Sequence, residues 1–458
     1  MSQYARLIFI SGVVAFGSLL TFLRISPAEA AGPGVFWCGG EASSTDRPPD
    51  AISGRQLHVL YAAPADGVDR FAEIAPLIAA DLSAVDRWWQ RQDPTRAPRF
   101  DLVSAAGCGP ASEELDLSAI RLPRSSTSYT SDDYANFTAD LRSAGFDSRF
   151  KKYVVYYDGD PQTNVCGIAS NAFPREGGAA STLVVWLQSL CPRDLGSGQI
   201  EAAVVTHELA HLLGALPFPP PNPPPPHACA DLAHTCDTER DILYGGSTDL
   251  PLESRELDPG HDDYYAHSGS WWDVQDSAWL TRFDEPEMLL SVAVDGVAPS
   301  SAAVVSDEPG IRCPTVCQIV FPQRDKVRLS AEPWVDGHYF AEWSGACTGD
   351  GMCEIAMQTA TRVVAEYRLP TLELRVRVRG RGRVVSAPAG IVCPRDCRGS
   401  FLLSDSVRLR AVPARGWRVS RWGGRCVRSG TTCVLSPLEL GQVAKVEETV
   451  GIKFARRA

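Results

Sequence analysis

Residues 200–214 read IEAAVVTHELAHLLG, which sets His207 and His211 four apart with Glu208 beside the first. Positions i and i+4 lie one above the other on a helix, so two imidazoles at this spacing reach a single tetrahedral ion. A Zn²⁺ ion held there acidifies water towards a pKa of ~7, and a neighbouring carboxylate can then take a proton and pass it on. This is the HExxH pattern, with His207 and His211 as metal ligands and Glu208 as general base. Val204, Val205, Leu209, Leu212 and Leu213 supply apolar packing for such a helix, and Gly214 is a natural stop.

A catalytic zinc needs a third protein donor. Immediately after the motif comes PFPPPNPPPP, eight prolines in ten residues, which favours extended polyproline II at ~3.1 Å per residue. The first imidazole beyond that run is His227, and it is the expected third ligand. His234, with Asp231 close by, and His261 of HDDYY are the alternatives. Cys229 and Cys236 read as a disulfide closing this loop, and Asp262 and Asp263 as a solvated acidic stretch in preference to a Ca²⁺ site.

The elements that must position these groups precede them. QLHVLYAAP, RFDLVSA, KKYVVYYDG and STLVVWLQSL read as strands, and FAEIAPLIAADLSAVDRWWQRQ and SDDYANFTADLRSAG as amphipathic helices. Arg6, the apolar run Leu7 to Leu23 and the small-residue stretch SPAEAAGPG have the layout of a signal peptide over residues 1–31, so no membrane span is expected after its removal. Fourteen cysteines divide as six before residue 285 and four in each of two later segments; in an exported chain such even clusters predict disulfides. The expected location is secreted or extracellular, with association at the cell surface.

The segment 56–282 resembles exported, actinobacterial-type HExxH proteins through HVLYAAPADGVDR, WWQRQDPTRAPRFD, KKYVVYYDG and HDDYY, and its element order resembles the upper half of metzincin-type zinc peptidases. The resemblance implies an α+β zincin-like (metzincin-like) catalytic domain over 32–285 and a zinc-dependent endopeptidase acting on a protein or peptide substrate. The pattern breaks at Pro217, which stands where the metzincin sequence supplies its third ligand and has no ligand atom. In RDILYGG the resemblance implies that Leu243 replaces the methionine of a turn under the metal and that Tyr244 helps stabilise the oxyanion. The rival reading is a catalytically inactive surface or adhesion protein, motivated by the missing donor.

Residues 286–369 and 370–458 are internal repeats. PEMLLSVAVDG aligns with PTLELRVRVRG, VVSDEPGIRCPTVC with VVSAPAGIVCPRDC, and WSGAC with WGGRC. Alternating apolar residues predict two small all-β modules, which resemble divergent internalin-type B-repeats; the resemblance implies spacing or attachment. Residues 371–458 carry 18 Lys/Arg against 6 Asp/Glu, although the whole chain sums to −11. In the second module Arg375, Arg377 and Arg379 alternate with apolar residues, which predicts one solvent row and one core row. That row reads as charge protecting a sheet edge, or as attachment to an anionic cell-surface polymer. Nothing here predicts specific nucleic-acid recognition.

Overall fold

A computed structural model of the 458-residue chain describes residues 37–39, 43–48, 50–105, 113–131, 134–159, 165–170, 175–189, 202–216, 226–246, 250–437 and 442–457. The expected signal peptide and Pro217 lie outside them. The N-terminal region is built on a five-stranded sheet in the order Leu117–Arg121, Gln56–Ala63, Lys151–Tyr157, Thr182–Trp186, Gly167–Ala169. The first four strands are parallel and Gly167–Ala169 is antiparallel at the edge. Three of the runs that looked like strands, QLHVLYAAP, KKYVVYYDG and STLVVWLQSL, are buried on both faces, as a parallel sheet requires, whereas RFDLVSA gives only Leu102–Ser104, paired with Glu113–Leu115 outside this sheet. One face, with Val59, Tyr61, Val154, Tyr156, Leu183 and Val185, packs on helices α1 (Phe71–Gln92) and α3 (Ala202–Leu212). The other, with Leu60, Val155, Tyr157 and Trp186, packs on Phe137 and Leu141 of α2 (Tyr134–Ser143). In α1, Ile74, Ile78, Leu82, Val85, Trp88 and Trp89 are buried at helical spacing.

The expected class for the molecule, an α+β zincin-like domain followed by all-β repeats, is corrected. Among the described residues strand far outweighs helix, with three α-helices against 27 strands. The difference arises in the chain beyond α3. The described residues of 226–285 form turns, isolated bridges, two short 3₁₀ segments, Leu252–Ser254 and Val274–Asp276, and one short strand, Leu280–Arg282, and contain no α-helix. Five helical residues around a motif fix a local helix and leave the class of the surrounding chain open.

Each repeat is a pair of packed sheets. In the first, one sheet runs Gln318–Pro322, Glu287–Asp295, Thr361–Arg368, His338–Gly345, Trp334–Val335; in the second, the matching sheet runs Arg398–Leu402, Thr371–Arg379, Lys445–Arg456, Trp417–Gly423. Each module has its own core, with Trp343 and Trp422 buried at equivalent places. Cys313–Cys317 and Cys347–Cys353 staple the first, Cys393–Cys397 and Cys426–Cys433 the second. The first module abuts the N-terminal region: Gly54 N–H donates to Pro309 O at 2.9 Å, and Arg149 pairs with Asp307 at 3.2 Å. Among the described residues no cysteine is free, which fits an exported protein matured in an oxidising compartment, and no helix is long and apolar enough to cross a membrane.

Candidate metal centre

Helix α3 buries Val205, Leu209, Ala210 and Leu212 against the sheet and α1, which fixes its rotation and turns His207, Glu208 and His211 towards the returning chain. It stops at Gly214, whose φ of +107° is open to glycine. The turn that results, with Gly214 N–H on His211 O at 2.8 Å and Ala215 N–H on Ala210 O at 2.9 Å, brings Ala215 O to 3.3 Å from His211 Nδ1. His207 Nδ1 lies 2.7 Å from Ile242 O. That carbonyl is held by a tight turn in which the buried Asp241 accepts from Leu243 N–H at 2.8 Å and from the Tyr264 hydroxyl at 2.6 Å.

The third imidazole is His234. It sits in a loop closed by the Cys229–Cys236 disulfide, and its carbonyl accepts from Cys229 N–H at 2.7 Å. Asp231 Oδ1 caps the loop by accepting from the N–H groups of Ala233 and His234, while Oδ2 lies 2.8 Å from His234 Nδ1. The next residue, Thr235, stitches the loop to the turn below through Thr235 N–H to Leu243 O at 3.0 Å and Gly245 N–H to Thr235 O at 2.9 Å. A Cβ on Gly245 would stand 2.9 Å from His234 Cβ and 3.0 Å from Cys229 Sγ, so the packing admits only glycine. The ring centroids of His207, His211 and His234 form a near-equilateral triangle with sides of 4.9, 5.3 and 5.3 Å, and their ligand nitrogens lie within 4.8 Å of one another.

These donors fit zinc. Each ring gives its Nδ1–H to an oxygen (Ile242 O, Ala215 O, Asp231 Oδ2), which leaves each Nε2 lone pair for a metal. Burial pushes the pKa of His207 far down, with His211 adding to the effect, and burial beside His234 lowers that of His211 to about 4, so both are neutral ligands at neutral pH. Burial raises the Glu208 carboxyl to about 8. Gly167 on the edge strand leans on it: a Cβ there would come within 2.6 Å of Glu208 Cγ and 3.0 Å of Oε1.

His227, the expected third donor, is not brought to the pair. Its backbone N–H and Nδ1 both engage Asp263, at 3.0 and 3.1 Å, and its carbonyl accepts from Cys236 N–H. It anchors the mouth of the loop that delivers His234. His261 is likewise elsewhere, exposed and 3.3 Å from Tyr265 O through Nδ1. Leu243 is fully buried in the main core. Tyr244 follows it, half-buried, with its ring over Gly246. Asp231 and Asp241 were not singled out as orienting groups by sequence; the one local signal was CADLAHTC, a short cysteine-bounded loop with an Asp three residues before a His.

No family model matches the chain, and no curated protein does. Among solved structures, GBS52, the minor pilin of Streptococcus agalactiae, overlays at 7% identity, covering 37% of this chain and 98% of that one, with a TM-score of 0.14. The major pilin T-13 of Streptococcus pyogenes overlays at 7% identity, 37% and 97% coverage and a TM-score of 0.15. Catalytically inactive OgpA of Akkermansia muciniphila, solved with an O-glycopeptide substrate, overlays at 10% identity, 70% and 98% coverage and a TM-score of 0.22. Overlays this loose carry no argument about fold or activity.

Proposed function

We propose that the chain is a zinc-dependent endopeptidase, with His207, His211 and His234 holding the metal. The observation that supports this most is the convergence of three imidazoles, each oriented through Nδ1, around the helix turn that carries Glu208. Zinc held there supplies Lewis acidity and acidifies water at neutral pH. Glu208, buried beside the edge strand, is the base for water in its ionised form, which burial alone disfavours and the charge of a bound Zn²⁺ would restore, and it returns the proton to the leaving amine. Tyr244 is the candidate oxyanion partner. The antiparallel edge strand Gly167–Ala169 offers backbone groups to an extended peptide, and its first residue lies against Glu208, so a peptide added there passes the base. The rival reading of an inactive surface protein is motivated by proline at the usual third position and by the proline-rich loop after it; the nearness of His234 to the pair supports the enzyme reading over it.

Glu208→Gln tests the proposal. It is expected to retain stoichiometric zinc and to lose roughly 10²–10⁴-fold in peptide hydrolysis. Unchanged hydrolysis in that variant removes Glu208 from the reaction, and zinc binding without hydrolysis in the unaltered chain rejects the peptidase.

A further inference from the structure

We propose that the exposed face of the second module's four-stranded sheet binds an extended phosphodiester polymer that carries neither bases nor sugar rings. Parallel and antiparallel register place six cations on three adjacent levels of this face. Arg375 stands directly opposite Arg398. Two residues along the strand, Arg377 lies beside Gly451, which lies beside Gly423. Two residues further, Arg379, Lys453 and Arg421 stand side by side on three strands. The levels are ~7 Å apart, at ~3.4 Å per residue.

Three features resist a purely structural account. Protection of a sheet edge does not cover the whole set: Arg375 lies between Arg398 and Thr449, and Lys453 between Arg379 and Arg421, although Arg377 and Arg379 extend past the end of the Arg398–Leu402 pairing. Like charges directly across strands destabilise a sheet, and among the described residues no carboxylate pairs with any of the six. The glycines are not demanded by packing. A Cβ on Gly451 would meet nothing within 4 Å, and one on Gly423 would meet only Gly451 O at 4.0 Å. Glycine inside a strand weakens it and often marks where a ligand backbone approaches closely, so the two leave a bare shelf between basic rows.

The first module is an internal control on the same frame. Its register puts Asp295, Glu366 and Glu342 where the second has Arg379, Lys453 and Arg421, and Val364 and Ser344 where the second has Gly451 and Gly423. There Arg368 bonds both glutamates, and Asp295 accepts from the Gly296 N–H. The scaffold folds without a basic face or a shelf, and the second module's charges stay available for a partner. Guanidinium forks match phosphate oxygens. No aromatic side chain stands on the three levels, and aromatic stacking is what base recognition on single strands uses, which favours a polyol phosphate over nucleic acid. Glu373 and Glu447, side by side at the start of the two central strands, bound the basic area at one end.

The test is binding of the full chain to linear poly(glycerol phosphate), followed by calorimetry at two salt concentrations. Salt-weakened binding is expected, with a loss of at least about tenfold when Arg375→Ser, Arg377→Ala and Arg379→Asp are combined. Each is the first module's own residue, and the variant's thermal unfolding checks that it folds. Gly451→Val with Gly423→Ser keeps the charge and fills the shelf; at least about fivefold weaker binding is expected. Unchanged binding in either variant overturns the proposal. So does equal or tighter binding of heparin or single-stranded DNA, which assigns the face to sulfated glycan or nucleic acid. Salt-sensitive self-association lost with the arginines assigns it instead to the acidic face of a second copy.

Discussion

The N-terminal region and the two modules place their polar groups in opposite ways. Every fully buried polar or charged side chain among the described residues, from Ser53 to Ser277, belongs to the first region; the modules bury apolar side chains and cystines. A buried ionisable group costs free energy unless it is partnered, so a fold that carries many is holding groups in place. In the first region Lys151 Nζ lies 2.8 Å from Asp46 and 2.6 Å from Asp101, and Asp101 also meets His58 Nδ1 at 2.7 Å. The modules leave their charges on the surface, where one copy can invert the sign of the other without repacking a core. Interior polarity fixes one geometry, whereas surface polarity is free to diverge.

The sharpest test of that contrast is His234→Ala. Removing one of three convergent donors is expected to lower zinc affinity by at least ~10³-fold, measured by competition with a chromogenic chelator, while His227→Ala changes it by less than about threefold. The reverse pattern would return the third position to His227. Acid unfolding comes next. Burial pushes the Asp101 carboxyl up, but Lys151 and the His58 hydrogen bond outweigh it and hold the carboxyl at about 2. A depressed folded pKa contributes stability that is present above ~3.9 and is lost as pH falls towards 2, while the neighbouring Asp50 carboxyl, raised to about 7 mainly by burial, works in the opposite direction. Hydrogen exchange resolved by segment is expected to show the central sheet losing protection across that window before either module; simultaneous loss would break the contrast. Asp231→Asn keeps the loop's capping oxygen but weakens the charged partner of His234. The expected cost is about 10–100-fold in zinc affinity, and a variant that matches the parent would leave Asp231 a loop cap alone. The smallest effect is deletion of residues 370–458, which is expected to leave zinc affinity and peptide turnover within about twofold, since the first region's core ends before them.

Much of this was legible in the sequence. His207, Glu208 and His211 declare themselves because a helix repeats every 3.6 residues and the partners are local. The repeats declare themselves by alignment, and the solvent row of Arg375, Arg377 and Arg379 by alternation. His234 was hidden by distance: nearness to the proline run favoured His227, and only the fold shows that Asp263, 36 residues downstream, takes that ring. The edge reading of the arginine row holds only in part for a similar reason: Arg375 is interior and Arg377 and Arg379 are flanked on one side, and that one flank is Lys445–Arg456, which arrives 66 residues after Arg379. Local periodicity assigns a face; only long-range pairing says what lies next to it.

The Cys229–Cys236 bond also couples the position of His234 to redox state. Helix α3 is packed into the main core, whereas the segment carrying His234 is held by the Cys229–Cys236 bond, by the backbone bridges of Thr235 to Ala228 and Tyr244, and by a glycine pressed against the disulfide. In the proposed zinc site this disulfide ties the third donor to the oxidation of two thiols, so reduction of Cys229–Cys236 is expected to weaken metal binding.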